Sequence, residues 1–317
     1  MKILFIDTVH PYLESSLKLA GYHCVDASLM SLQTILEQIS QYDGVVIRSR
    51  IRIDQKFIDA ATRLKFIARA GAGMENIDVD AAEEKSVICL NAPEGNRDAV
   101  AEQAIGMILS LFNRLNISDA EVRSGVWKRE ANRGHELKGK VVGIIGFGNT
   151  GSSFAKKLQS FECEILAYDK YKTGFENNFV KEGSLQDLFD RADVISLHVP
   201  LTDETEYMVN GSFIRKFNKN IWLINTARGK CIRTDELVAM MQEGKVLGAC
   251  LDVLEYEDLS FEKFDIQHQN IQKLDTWKYL TDSNRTVLSP HIAGWTFESH
   301  ERISKVLFDK IMDLKLR

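Results

Sequence analysis

The chain has 317 residues, 44% of them hydrophobic and 27% charged, which is more than one compact core ordinarily holds, so two domains are expected. A formal net charge of -5 gives no bulk electrostatic attraction for nucleic acid or an anionic membrane. The opening Met1-Lys2-Ile3-Leu4-Phe5-Ile6-Asp7 meets an acid too early for a signal-peptide core, and no apolar run is long enough to span a bilayer, so a cytoplasmic protein is expected.

Apolar runs recur with helical segments between them, the pattern of parallel sheets covered on both faces. In the first third, strands are predicted over 2–6, 44–47, 64–68 and 87–90. Arg48, Arg50 and Arg52 follow the second of these at alternate positions, so they share one face if extended; an ordinary exposed edge reads the same way. Arg69-Ala70-Gly71-Ala72-Gly73 follows the third, and its glycines allow backbone amides to converge on an anion, or simply a tight strand-to-helix turn. Asn76 and Asp78 read as helix caps. A turn over 91–96 then leads into a long helix predicted over 98–115.

A second strand series is predicted over 141–145, 165–168, 194–198, 222–225, 248–251 and 286–288, with helices over 152–159, 185–189 and 235–242. The closing segment, 296–316, is helical and is expected to pack back on the first domain. Cys24, Cys89, Cys163, Cys231 and Cys250 are odd in number and lack paired spacing, which reads as buried free thiols in a reducing compartment. No cluster shows metal-ligand spacing, so no metal is expected.

The run Val141-Val142-Gly143-Ile144-Ile145-Gly146-Phe147-Gly148-Asn149-Thr150-Gly151 reads strand, tight turn, helix. There Gly146 permits the turn, Gly148 lets the backbone approach a pyrophosphate, Gly151 allows helix and strand to pack closely, and amides at the helix start meet the anion. Asp169 closes the next strand, where a carboxylate accepts hydrogen bonds from both ribose hydroxyls and repels a 2′-phosphate, so NAD is expected over NADP. Lys170 beside it reads as a solvated charge.

Hydride transfer to nicotinamide needs a group that takes the hydroxyl proton and a cation that holds the substrate carboxylate. Later strand ends offer Arg228, then Asp252, Glu255 and Glu257, then His291, and strand carboxyl ends converge on the ligand crevice in doubly wound sheets. A carboxylate bonded to imidazole stabilises the protonated ring, and arginine offers a planar fork for a carboxylate. Alone, His291 reads as a turn histidine, Arg228 as a surface arginine and Glu257 as one acid in a stretch that also holds Glu255 and Asp258; in this order together they read as a site. His198 fits either a cofactor wall or a satisfied near-core histidine, while His10, His23, His135, His268 and His300 have no evident partners.

These separated motifs, in this order and over essentially the whole chain, resemble the D-2-hydroxyacid dehydrogenase family, whose relatives include D-3-phosphoglycerate dehydrogenase. The resemblance implies two doubly wound parallel-sheet α/β domains, a Rossmann cofactor domain over 98–294 and a flavodoxin-like, discontinuous substrate domain from 1–97 and 295–317. It implies His291 as the acid/base, Glu257 as its partner, Arg228 on the substrate carboxylate and carbonyl, and Asp252 at the nicotinamide carboxamide. Asn149, Thr150, His198, Pro200, Thr226, Ala227 and Gly294 join the glycines and Asp169 around NAD. Arg48, Ser49, the amides of Ala72 and Gly73, and Asn96 face the substrate, with Asn96 equally readable as a helix cap. A homodimer through the cofactor domain is also implied, with the helix after Asn96 and Gly125-Val126-Trp127 as contacts.

Ile51 stands where threonine is common, Asp258 where proline usually follows the glutamate, and Trp295 is bulkier than many relatives carry. A polar stretch over 259–284 exceeds the family's minimal connection. The expected activity is reversible oxidation of a small D-2-hydroxy acid by NAD. The arginines make 3-phosphoglycerate the first expected substrate, with glyoxylate, hydroxypyruvate and 4-phosphoerythronate as alternatives. An NADH-sensing, corepressor-like binding protein is the rival from outside the enzymes. The chain leaves no room for the C-terminal regulatory domain of some phosphoglycerate dehydrogenases, so serine feedback is not expected.

Overall fold

A computed structural model describes residues 1–257 and 271–316. Two compact units emerge, one of Met1–Arg97 and the segment beginning at Trp295, the other of Asp98–Glu257 and the segment ending at Gly294.

In the first unit, β1 (Lys2–Phe5), β2 (His23–Asp26), β3 (Gly44–Ile47), β4 (Phe66–Arg69) and β5 (Ile88–Leu90) form a parallel sheet in the order β2-β1-β3-β4-β5. This is the flavodoxin-like order. Every residue of β3 and β4 is buried, which is why both read as unbroken apolar runs. Leu4, Ile6, Val45, Ile47 and Ile67 feed one core, and Ile3, Phe5, Val46, Phe66 and Ala68 feed another. Ile303, Leu307 and Ile311 of the helix Phe297–Asp313 complete that second core, so the closing helix does pack against the first sheet.

In the second unit, the strands are β6 (Val141–Ile145), β7 (Glu164–Tyr168), β8 (Lys181–Glu182), β9 (Val194–Leu197), β10 (Ile221–Asn225), β11 (Val246–Leu251) and β12 (Thr286–Leu288). Their order is β12-β11-β10-β9-β6-β7-β8, all parallel. Counted from β6, this is the Rossmann order with one more strand, and the direction of winding reverses between β6 and β9. Val142, Ile144, Ile165 and Ala167 face one core, into which Ala101, Ala104 and Ile108 pack. Ile145, Leu166, Leu197 and Leu223 face the other.

Several local expectations need correcting. The predicted turn over 91–96 is instead the start of the helix Pro93–Phe112, because a proline at the first helical position loses no hydrogen bond and arrives with helical φ. Asn96 is therefore inside that helix and does not cap it. The predicted helix over 98–115 is broken as well: Arg114 turns left-handed at φ 52°, and a separate helix, Leu115–Arg123, follows. Gly95 is needed where it stands, since a Cβ there would lie 2.7 Å from Ile303 Cα. Of the polar stretch over 259–284, residues 259–270 lie outside the described residues, as does the departure at Asp258, and Ile271–Asp282 is a helix.

Candidate active site

The glycine loop sits where the winding reverses, and its three glycines do three different things. Gly146 adopts φ +94°, and a Cβ on it would lie 2.5 Å from the His198 carbonyl oxygen. A Cβ on Gly151 would lie 2.0 Å from the Gly146 oxygen, so the helix Asn149–Leu158 packs directly on the turn. A Cβ on Gly148 would meet nothing within 4 Å, so this glycine borders open space at the helix start. First-turn amides, those of Asn149 and Thr150 included, have no acceptor within their own helix.

Asp169 lies just past β7 and organises the same corner. Its Oδ2 accepts the Phe147 amide at 2.7 Å, and its Oδ1 accepts the amides of Tyr171 and Lys172 at 2.9 and 3.0 Å. Lys170 Nζ and the Tyr171 hydroxyl reach Glu204, at 2.6 and 2.5 Å. His198, just past β9, is buried; its Nε2 lies 2.8 Å from Ser196 Oγ, and its ring is tilted against that of Phe154 with centroids 5.1 Å apart. Burial pushes this imidazole down to about 3, so it is neutral. Pro200 is exposed two residues on.

Three adjacent strands carry the remaining groups of this unit. At the end of β10, fully buried Asn225 shapes the turn that follows, accepting the Ala227 amide at 3.0 Å and donating to the Arg228 carbonyl at 2.9 Å. Thr226 and Ala227 are buried there. Gly229 lets the Arg228 turn lie against the segment after β11, since a Cβ on it would lie 2.0 Å from the Leu254 oxygen. Beyond β11, Glu257 accepts the Leu254 amide through Oε1 and meets His291 Nδ1 through Oε2 at 2.6 Å. Both side chains are largely buried, with 23% of His291 and 15% of Glu257 exposed. Glu255 points elsewhere, accepting the Thr234 amide at 3.0 Å and the Tyr207 hydroxyl at 3.2 Å. Thus Glu257, not its neighbour, pairs with the histidine.

His291 is held left-handed at φ +54°, a conformation uncommon outside glycine, and its amide donates to the Asp252 carbonyl at 2.7 Å. Asp252 is 1% exposed and grips the same segment with its side chain. Oδ1 accepts Ser289 Oγ at 2.6 Å and the Ile292 amide at 3.0 Å; Oδ2 accepts the Ala293 amide at 2.8 Å. Gly294 follows directly.

In the first unit the picture differs from the expectation. After β3 the chain bends instead of continuing extended, because Asp7 Oδ2 collects three successive amides, those of Arg48, Ser49 and Arg50, at 2.6, 3.0 and 3.2 Å. Arg48, Arg50 and Arg52 therefore do not line one face. The Arg50 guanidinium turns inward to the carbonyls of Ile6, Ala27 and Met30. Arg48 instead lies 4.7 Å over the Trp295 ring, and Arg52 is exposed. Ser49 is buried. After β4, a Cβ on Gly71 would lie 1.5 Å from Arg69 Nη1, so the glycine makes room for this buried arginine. Ala72 and Gly73 are half-buried, and the Asn91 side chain holds the loop through the Ala72 carbonyl at 2.6 Å. Asp78 caps the helix Val79–Glu84 as expected, whereas Asn76 caps nothing and donates to the Arg48 and Ile51 carbonyls, both at 3.3 Å. The Asn96 Oδ1 is buried without a partner among the described residues.

The family model described as D-isomer specific 2-hydroxyacid dehydrogenase, NAD binding domain, matches residues 105–293, whose described residues lie in the second unit. The chain belongs to this family. A hydroxypyruvate reductase from Thermotoga maritima is 36% identical over 279 residues, covering 87% of this chain and 86% of that protein. A D-3-phosphoglycerate dehydrogenase from Archaeoglobus fulgidus is 31% identical over 316 residues, covering 99% of this chain but 57% of that protein. The solved D-lactate dehydrogenase from Aquifex aeolicus, complexed with NAD and lactic acid, superposes with a TM-score of 0.83 at 27% identity, covering 99% of this chain and 95% of that one.

This D-2-hydroxyacid dehydrogenase is thus an NAD-dependent oxidoreductase, and its second unit fits the dinucleotide: Gly148 opens beside unsatisfied helix amides. Two buried polar atoms of the same unit, His198 Nδ1 and Thr226 Oγ1, also lack a protein partner among the described residues. Asp7 is the organising residue that sequence reasoning passed over; its signal was only an acid closing the first strand. Among the described residues no three His, Cys, Asp or Glu side chains gather as a metal site, and no helix is long and apolar enough to cross a membrane.

Proposed function

We propose that the enzyme oxidises a small D-2-hydroxy acid reversibly at C2, with His291 moving the hydroxyl proton. The 2.6 Å pairing of His291 Nδ1 with Glu257 carries this reading. An ionised carboxylate only accepts, so the neutral ring keeps its proton on Nδ1 and presents the Nε2 lone pair. As Nε2 takes the hydroxyl proton, the ring becomes a cation, and the adjacent Glu257 charge stabilises it; reduction of the keto acid returns the proton by the same route. Arg228 holds the substrate carboxylate and polarises the carbonyl. NAD, when bound, supplies the hydride acceptor. Gly146, Gly148, Gly151 and the Asn149 and Thr150 amides would hold its pyrophosphate, Asp169 a ribose, His198 and Pro200 the wall, and Thr226, Ala227, Asp252 and Gly294 the nicotinamide end. Three of the four acceptor positions of Asp252 are filled from the 289–293 segment, so most of its work is fixing the loop of His291.

The first unit takes the substrate side, with Arg48, Ser49, the Ala72 and Gly73 amides and Asn96 toward its anionic groups. Our first substrate is 3-phosphoglycerate, supported by the match of 99% of this chain to part of a phosphoglycerate dehydrogenase and by Arg48. The inward commitment of Arg50 favours a second reading, an acid without a phosphate such as hydroxypyruvate. NADH oxidation with 3-phosphohydroxypyruvate, hydroxypyruvate and glyoxylate separates the two. A kcat/KM on the order of tenfold or more higher for the phosphorylated acid is expected, and the reverse ranking would exclude it. Loss of turnover with all three in the presence of bound NADH would sink the whole assignment.

We also infer a cytoplasmic homodimer. Its supports are the five free cysteines and the exposed apolar side chains Leu115, Val122 and Trp127, the last 82% exposed. A monomeric mass by light scattering would contradict the dimer.

A further inference from the structure

We propose that Glu204 helps exclude the 2′-phosphorylated cofactor, by holding Lys170 and Tyr171 away from the ribose at Asp169. The inference rests on Asp169 being the ribose acceptor. Lys170 and Tyr171 follow β7, Glu204 lies in the loop after β9, and β6 with its phosphate loop runs between those two strands. The Glu204 contacts therefore pass across the carboxyl end of β6. Each carboxylate oxygen has its own donor, Lys170 Nζ at 2.6 Å on Oε1 and the Tyr171 hydroxyl at 2.5 Å on Oε2.

Lys172, the other cation of this turn, is also committed: its Nζ donates to the Phe147 carbonyl at 3.2 Å and lies 5.5 Å over the Phe147 ring. A phosphate arriving at the ribose would meet the Asp169 charge while both neighbouring ammonium groups served other acceptors. Dinucleotide sites that accept the 2′-phosphate supply a cation beside it. Here the sequence provides two lysines in that place, and the fold assigns both elsewhere. Repulsion by Asp169 is thus half of the discrimination, and sequestration of Lys170 is the other half.

Dissociation constants for NADH and NADPH, read from cofactor fluorescence, test this in the wild type, Asp169→Asn, Glu204→Gln and the double variant. Asparagine keeps an oxygen for the loop amides and removes the charge. The double variant should bind NADPH about tenfold more tightly than Asp169→Asn, as a charge-assisted contact to phosphate forms, and the gain should shrink as salt rises. Adding Lys170→Met should abolish the gain. Equal NADPH affinity in Asp169→Asn and the double variant, or a gain that survives Lys170→Met, overturns the role of Glu204 alone. An Asp169→Asn protein whose NADPH-to-NADH ratio matches the wild type overturns the ribose assignment, and this inference with it.

Discussion

The buried, neutral His198 makes a quantitative claim about pH. Its imidazole is pushed down from 6.5 to about 3 by burial, while an unfolded chain titrates it near 6.5. Below that value the unfolded state takes up a proton that the folded state refuses. Stability is therefore complete above the unfolded value and is lost progressively as pH falls toward the folded one. At pH 5 the loss is about 2 kcal/mol, since pH 5 lies about 1.5 units below the unfolded value at about 1.36 kcal/mol per unit. The figure depends on the unfolded value alone as long as the folded ring stays unprotonated at pH 5. Glutamine at this position keeps a polar group for Ser196 and cannot titrate. Denaturant unfolding of the full chain, followed by tryptophan fluorescence at pH 7 and pH 5, should show the wild type losing about 2 kcal/mol more than His198→Gln. Equal losses in the two proteins would refute a neutral buried histidine.

Other substitutions separate chemistry from architecture. His291→Asn, with a residue type that tolerates the left-handed backbone, should lower kcat by about two to four orders of magnitude while NADH binding, read by fluorescence, persists; unchanged turnover would remove His291 from proton transfer. Gly148→Ala should leave the unfolding midpoint near that of the wild type yet weaken NADH binding, because the added methyl meets only the open side of the loop. Gly151→Ala should instead cost about 1–3 kcal/mol in the same unfolding assay, as its methyl is driven into the Gly146 carbonyl. Arg50→Met should destabilise by about 2 kcal/mol through the carbonyls it abandons, whereas exposed Arg52→Met should stay within about 0.5 kcal/mol; similar losses at both would deny Arg50 its inward role.

Buried strands announce themselves and edges do not. β3, β4, β6 and β9 are apolar nearly throughout because both faces are covered, so their positions were legible to within a residue or two. β2 and β8, which sit at sheet edges with the sequences HCVD and KE, carry no such pattern, and no strand is predicted there. The site was legible where order along the chain carries the information, as with the glycine loop, Arg228, Glu257 and His291. It failed where a distant residue decides local shape. Alternation suggested that three arginines share a face, but a carboxylate 41 residues upstream bends the segment. Residue type alone did not separate Glu257 from Glu255, two acids whose partners lie on different loops; only the family resemblance singled out Glu257. At Pro93 one residue type served two opposite signals, turn and helix start, and the second prevailed.

The Asp7 tether also separates what may vary from what may not. The loop after β3 is held from behind, by one Asp7 carboxylate oxygen, the inward Arg50 and the Asn76 amide on the Arg48 and Ile51 carbonyls. The Arg48 and Arg52 side chains make none of these ties: Arg48 lies over the Trp295 ring and Arg52 is exposed. A combinatorial library that randomises those two positions and preserves Asp7, Arg50 and Asn76 is expected to keep the loop's ties intact, so a substrate role proposed for Arg48 can be varied there separately from the fold.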